Sequence, residues 1–295
     1  MSTFVGIPSY RDTWTPRTVE SLLDHARGDV RVVVVLQSDD YSLKEKIKAK
    51  GAEVIRVPLD EAIGCLWPRW RAQQEWKGED WYYQCDAHCG FANEWDFHFE
   101  SMMEGIPTKS VLVGFPAPDG EMDKFEHHLN IVPMKKSGSF LWQLGGEAPV
   151  IKRHTRAVGI SGGNMFGPGF LARDCPTHYG PGFESDQSLY SMKLWTSGYE
   201  LVIAPRVLSD HHYYHGKDPD NELLWESFSK KWNLILRKEE ERVLDGVVNG
   251  RMPHLLGNER TLDEWKEYSG IYWPEIRERK YYEEDALEYY ASMSI

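Results

Sequence analysis

Five consecutive aliphatic residues, Val32 to Leu36, constrain the fold of this 295-residue chain more than any other stretch. An uninterrupted run of that kind suits a strand covered on both faces, as parallel sheets require, and it is far shorter than the ~20 residues that span a bilayer. Its neighbours read the same way. Thr3 to Ile7 is a short apolar strand closed by Pro8-Ser9-Tyr10-Arg11. Thr15 then offers an N-cap with Pro16 in the first helical position, and Val19, Leu22, Leu23 and Ala26 follow at helical spacing. Gly28-Asp29 ends that helix before the strand Val30 to Leu36; Leu43 to Lys50 is a second helix, and Ala52 to Val57 a third strand. Strand, helix, strand, helix, strand predicts the start of a doubly wound α/β sheet. No Gly-x-Gly-x-x-Gly or phosphate-cradling loop accompanies it, so the usual dinucleotide and P-loop readings lack support.

The next informative stretch is Trp81-Tyr82-Tyr83-Gln84-Cys85-Asp86-Ala87-His88. The aromatics favour extended structure, and Gly78-Glu79-Asp80 before them reads as a turn. Side chains two apart on a strand share a face, so Asp86 and His88 can offer an oxygen and a nitrogen to one borderline divalent ion. Such an ion suits a diphosphate, and the carboxyl ends of α/β strands are where ligands collect. An N-capping Asp beside an ordinary surface His fits the same two residues, since the spacing is common. Cys85, His88 and Cys89 invite a zinc site, but no second Cys/His pair with suitable spacing completes it.

Further along, Pro68 to Trp76 and Trp95 to Met103 read as helices, and Ser110 to Phe115 and a segment around Asn130 to Met134 as strands. Gly159 to Phe170 is so rich in glycine that it suits either a backbone closely approached by a ligand or a plain loop. A helix opens near Phe183 and ends at Ser197-Gly198, Tyr199 to Ala204 is a strand, and His211, His212 and His215 follow. Beyond residue 215 the strand signal stops. Glu222 to Asp245 and Leu262 to Ala291 read as charged helices, so residues 1–215 are expected to form the main domain and 216–295 a helical extension. A net charge of −12 argues against a broad grip on nucleic acid without excluding a local basic groove. With no membrane-spanning run and no secretory-leader pattern, a soluble cytoplasmic protein with four reduced cysteines is expected.

Several of these segments together resemble one glycosyltransferase family, the retaining enzymes that place N-acetylglucosamine on hydroxyproline of a cytosolic protein. Ser9-Tyr10-Arg11-Asp12 is similar to its opening motif, and Gly64 to Arg69 to its Gly-Pro-x-x-Ala-Arg, with Cys65 and Pro68 departing. Trp76-x-Gly78-Glu79, Gln84-x-Asp86-x-His88 and Trp95-Asp96 resemble its metal-binding segment. Leu194 to Tyr199, Ala204-Pro205 and His211-x-Tyr213 follow in the family's order. Ser185-Asp186-Gln187 stands where the family carries Gly-Glu-Glu, so one acid is lost there, and the C-terminal extension has no counterpart.

The resemblance implies a GT-A fold, Rossmann-like, with Asp86-x-His88 in the Asp-x-Asp position. It implies a UDP-sugar donor and Mn2+ or Mg2+ held by Asp86 and His88, with His211 or His212 as the third ligand. Pro8, Ser9, Tyr10, Arg11, Gln37, Arg69, Gln84 and Asp86 are then candidates for donor binding. Arg69, Glu184 and Asp186 are candidates for the catalytic side, without an assigned nucleophile. Two acceptors fit: a hydroxyl on a protein, or a hydroxymethylated pyrimidine in DNA, which related folds in bacterial viruses modify. A nucleotide-sugar hydrolase or an idle UDP-sugar-binding module would use the same residues. On this reading Asp86→Ala abolishes transfer and leaves the fold intact.

Overall fold

The computed structural model of the protein describes residues 1–62, 64–124, 132–136, 139–142, 155–178, 186–213, 238–239 and 242–269. In chain order these hold β1 (Ser2–Tyr10), α1 (Thr15–Asp24), β2 (Asp29–Gln37), α2 (Tyr41–Ala49), β3 (Glu53–Val57), α3 (Leu66–Gln73), β4 (Trp81–Cys85) and β5 (Cys89–Phe91). They continue with α4 (Trp95–Met103), β6 (Ser110–Val113), β7 (Ala117–Pro118), β8 (Val132–Lys136), β9 (Ser139–Trp142), β10 (Thr155–Arg156) and β11 (Asn164–Pro168). Then follow α5 (Leu171–Asp174), α6 (Asp186–Thr196), β12 (Glu200–Ile203), β13 (Ser209–His211) and a last helix, Leu262–Ser269.

Eight strands form one sheet in the order β10-β12-β6-β11-β4-β1-β2-β3. The β4-β1-β2-β3 half is parallel throughout, as the opening alternation requires. β11 runs antiparallel between β4 and β6. The glycine-rich stretch after residue 158 is therefore a central strand from Asn164 onward, with the loop confined to its entry. A smaller sheet, β5-β13-β7, stands beside the main one, and β8 and β9 form a separate hairpin.

The period of two along β2 divides the core. Val32, Val34 and Leu36 join Val5 and Ile7 beneath α1, α2 and α4, with Val19, Leu22, Ile47, Trp95 and Phe99. Val33 joins Phe4 and Tyr82 on the other face, under Leu171, Tyr190 and Leu194. Trp95 is wholly buried and donates its indole N–H to the Leu22 carbonyl at 2.9 Å, so it belongs to the core. Helix α2 is capped by Asp40, whose carboxylate accepts from Ser42 and Leu43 N–H at 2.7 and 3.2 Å. The cap of α1 differs from expectation. Trp14 occupies that position and Thr15 lies inside the first turn, its hydroxyl turned back to the Asp12 carbonyl at 2.8 Å.

The outer face of α6 is covered by chain from beyond residue 241. Val243, Leu244, Val247, Val248 and Trp265 pack with Val158, Leu189, Met192 and Trp195. Arg260 then caps the end of α6: its guanidinium reaches the carbonyls of Trp195, Gly198 and Tyr199 at 3.4, 3.4 and 3.3 Å, and pairs with Glu200. Trp195 lies in the last helical turn and the other two carbonyls just beyond it, so a cation there serves both hydrogen bonding and the helix dipole. The described part of the segment expected as an appendage thus shares a core with the sheet-bearing body. The remainder of the predicted helices, including residues 270–291, lies outside the described residues. Leu244 is fully buried, so Leu244→Ala is expected to cost about 2–5 kcal/mol, read as a lower urea midpoint.

One ion pair tethers the far end of the sheet. Arg31 in β2 donates Nε–H to Glu79 Oε1 at 2.5 Å, and Glu79 also accepts from Lys77 N–H at 2.7 Å. Burial would raise the Glu79 carboxyl, but the Arg31 bonds outweigh it and the net shift is downward. A carboxyl lowered in the folded state contributes stability above its unfolded value, about 4.3, that is lost as pH falls through the folded value. The stability gap between the parent and Glu79→Gln is therefore expected to be full at pH 7 and to close below about pH 4 in urea titrations.

Candidate functional site

The site lies where β4 ends. β4 pairs with β1 on one side and with β11 on the other, placing Cys85 opposite Asn164. Asp86 therefore leaves the sheet beside the Ser161-Gly162-Gly163 turn that enters β11. Helix α1 holds the next residues from below. The buried Thr18 hydroxyl donates to the Ala87 carbonyl and accepts from Cys89 N–H, both at 2.9 Å, while Ser21 accepts from Phe91 N–H at 2.9 Å. So fixed, β5 pairs antiparallel with β13, with His211 opposite Cys89. Asp210 ties this small sheet together, accepting from Gly90 N–H at 2.9 Å and Gly120 N–H at 3.0 Å.

The result brings three ligand-type side chains together. One donor atom each from Asp86, His88 and His211 lies within 4.8 Å of the others. His88 Nε2 is 2.9 Å from His211 Nε2, and His211 Nε2 is 3.4 Å from Asp86 Oδ2. Two imidazole nitrogens and a carboxylate oxygen converging in this way fit a first-row divalent ion. His212 takes another post: its ring stacks on Trp14 at 4.0 Å and its Nδ1 lies 3.4 Å from Asp119 Oδ2. The side-by-side histidines of the sequence thus point apart where β13 ends, since successive residues of an extended chain face opposite ways.

Arg69 approaches from α3. It is buried, pairs with Asp86 through Nη2 at 3.1 Å, and lies 3.7 Å from Cys65 Sγ through Nη1. Burial would raise the Asp86 carboxyl, but the His211 bond and the Arg69 charge hold it far below the usual carboxylate range. Burial lowers His88, yet the Asp12 carboxylate raises it further, for a net rise; His211 stays lowered, with burial outweighing its Asp86 bond. Room for the Arg69–Asp86 pair comes from two glycines. A Cβ on Gly162 would stand 2.8 Å from Arg69 Nη1, and one on Gly163 would stand 2.2 Å from Asp86 Oδ2.

Pro8, Ser9, Tyr10 and Arg11 reach the same edge of the sheet at the end of β1, where Tyr10 is in register with Gln37. Pro8 and Tyr10 are half-buried, and Arg11 sits in the left-handed region with φ 51°. Three donor-binding candidates have buried side chains committed within the protein. Ser9 shares a hydrogen bond with Thr15 at 2.7 Å, and Gln37 donates to the Gly64 carbonyl at 3.2 Å. Gln84 donates to the Gly162 carbonyl at 2.7 Å and accepts from Tyr82 at 3.2 Å. Gln84 thereby braces the glycine turn, and Gln37 the turn before α3. Asp186 opens α6, and Glu184 lies outside the described residues. Sequence reasoning passed over Asp12. Its Oδ2 is 2.5 Å from His88 Nδ1, and the one signal for it was its place in Ser9-Tyr10-Arg11-Asp12.

A mixed sheet with one parallel half, and an acid-x-histidine pair at the end of its central strand, is the arrangement of the GT-A fold. The chain belongs to the Glycosyltransferase (GlcNAc) family, whose model matches residues 38–273. That match crosses the boundary expected at residue 215. Among solved structures it is similar to GalNAc-T7 with UDP, GalNAc and Mn2+, at 17% identity and a TM-score of 0.58, covering 98% of this chain and 58% of that one. It is also similar to S. aureus TarS 1-349 in complex with UDP-GlcNAc, at 14% identity and a TM-score of 0.50, covering 85% of this chain and 72% of that one. No curated protein matches it in sequence. Among the described residues, no helix is long and apolar enough to cross a membrane.

Proposed function

We propose that this protein transfers a sugar, N-acetylglucosamine by its family, from a UDP-sugar to a hydroxyl acceptor with retention of configuration, aided by Mn2+ or Mg2+. The observation that carries the reading is the convergence of Asp86, His88 and His211 beside Arg69 at the carboxyl end of β4. A divalent ion bound there would supply positive charge against the charge that develops on a departing diphosphate. Asp86, His88 and His211 would hold it. The ionised Asp86 matches that task, since a carboxylate kept charged needs no proton removed before binding. Arg69 places a second, permanent positive charge on the same side, suited to a phosphate oxygen. Tyr10 and Arg11, at the end of β1, would meet the nucleotide, with Tyr10 stacking on the base and Arg11 reaching a phosphate. Asp186, at the start of α6, would face the sugar or the acceptor.

The family resemblance favours a protein hydroxyl as acceptor, and a hydroxymethylated base in DNA is the second candidate. The basic residues that would favour DNA are Lys135, Lys136, Lys152, Arg153, His154 and Arg156, of which Lys152, Arg153 and His154 lie outside the described residues. The deciding experiment incubates the protein with UDP-GlcNAc and MnCl2. Its two acceptors are a hydroxyproline peptide and a duplex bearing 5-hydroxymethylcytosine, each followed by mass spectrometry. Mass gain on one acceptor, lost in EDTA, is the expected outcome and identifies the acceptor class. Sugar release at an equal rate with no acceptor would mark a hydrolase. Failure of any UDP-sugar to be bound or consumed would overturn the reading.

A further inference from the structure

Asp12 stands outside the group of donor atoms, yet it touches the one ligand candidate that neither β13 nor Arg69 fixes through its other ring nitrogen. The chain reaches it through Arg11, a non-glycine residue with φ 51°, whose N–H is held by the Gln37 carbonyl at 3.2 Å. That left-handed step swings Asp12 out of line with β1 and under the site. Its carboxylate is buried and both oxygens are engaged: Oδ1 accepts from Trp14 N–H at 2.8 Å, and Oδ2 lies 2.5 Å from His88 Nδ1. A carboxylate accepts only, so His88 Nδ1 must carry the proton of that bond. The neutral ring then has its lone pair on Nε2, the nitrogen that faces His211 Nε2 at 2.9 Å.

We propose that Asp12 is a positioning residue for the metal site: it holds His88 in the tautomer and ring orientation that present Nε2 to a divalent ion. The inference rests on the proposed function, since it presumes that Asp86, His88 and His211 hold an ion. Outer carboxylates of this kind set ligand orientation and basicity, and losing one typically weakens metal affinity by about 10–100-fold.

The geometry makes one substitution diagnostic. In Asp12→Asn the amide oxygen must stay on Trp14 N–H, because an NH2 group there would oppose another donor. The NH2 group is therefore forced toward His88 Nδ1, where it needs an acceptor. The proton moves to Nε2, and the lone pair is turned away from the ion. Shape and volume hardly change, so a merely structural role for Asp12 would leave Mn2+ binding near that of the parent.

The test measures Mn2+ affinity of the full chain by electron paramagnetic resonance of the free ion, with UDP present, for the parent, Asp12→Asn and His88→Ala. Melting temperatures are recorded alongside. The expected result is a 10–100-fold weaker Mn2+ affinity in Asp12→Asn at an unchanged melting temperature, approaching that of His88→Ala. If His88→Ala loses the ion and Asp12→Asn binds it as the parent does, the positioning role is overturned and the site stands. If the parent binds no Mn2+, or His88→Ala binds it normally, the site itself is misassigned and the role of Asp12 falls with it. Should Asp12→Asn melt early, Asp12→Glu decides. Recovery of the fold and of Mn2+ affinity together supports the role, and recovery of the fold with Mn2+ affinity still lost overturns it. Full affinity in a folded variant without any carboxylate, such as Asp12→Ser, overturns it.

Discussion

Asp86→Ala is expected to lower sugar transfer by about 10²–10³-fold or more, the equivalent of the several kcal/mol that charge compensation at a leaving group supplies. Three relations of this one side chain stand behind that figure. It contributes the only carboxylate among the three converging donors, it lies 3.4 Å from His211 Nε2, and it pairs with Arg69 at 3.1 Å. The last relation changes what alanine does to the fold. Arg69 is buried, and taking a carboxylate away from a buried charge is expected to lower stability. The sequence alone pointed to a strand-end position whose truncation leaves the fold intact; the structure adds a stability cost through Arg69. Asp86→Asn separates the two effects, since it keeps an acceptor for the guanidinium while removing the charge. Loss of transfer in Asp86→Asn at a melting temperature near that of the parent is the expected pattern. Normal turnover in that variant at ordinary Mn2+ levels would sink the assignment of the site.

Gly163→Ala is expected to be almost as damaging, without removing a polar group. The added Cβ would stand 2.2 Å from Asp86 Oδ2, a distance that real Cβ contacts do not reach, so the carboxylate must rotate away. Rotation pulls it from His211 and from the point where the donor atoms converge. A misplacement of about 1 Å can cost 10²-fold in rate, and a loss of that order is expected in transfer, with Mn2+ binding weakened alongside. Gly114→Ala is the matched control. There the Cβ would meet nothing nearer than 3.8 Å, from Asn164 Nδ2, and transfer is expected to stay near the parent value. Assays of the two variants side by side check the claim, and equal activity would show that Asp86 has another place to go.

The sequence was most readable where local patterns decide structure. The uninterrupted aliphatic run of β2 and the helical spacing in α1 are local facts, and they placed the parallel half of the sheet. Asp86 and His88 were readable because both lie on one short segment whose strand announced itself through Trp81, Tyr82 and Tyr83. His211 against His212 was not, since the choice depends on which face of β13 turns inward, set by pairing with β5. That strand is three residues long and gave no signal of its own. Asp12 was hidden for a related reason: its partner is 76 residues away, and only a left-handed step at Arg11 brings the two together. The glycines at 162 and 163 were visible as glycines, but the side chains they make room for come from α3 and the end of β4. Gln84 reads as part of a motif, while its burial shows it bracing the turn beside the site.

The way α6 is finished off bears on where this polypeptide can be cut. The helix that starts at Asp186 ends on carbonyls held by Arg260, sixty-odd positions downstream, and Gly257 N–H adds a bond to the Thr196 hydroxyl at 2.8 Å. An excised fragment meant to keep the end of that helix in place must therefore extend past Arg260, although every described strand is complete by His211.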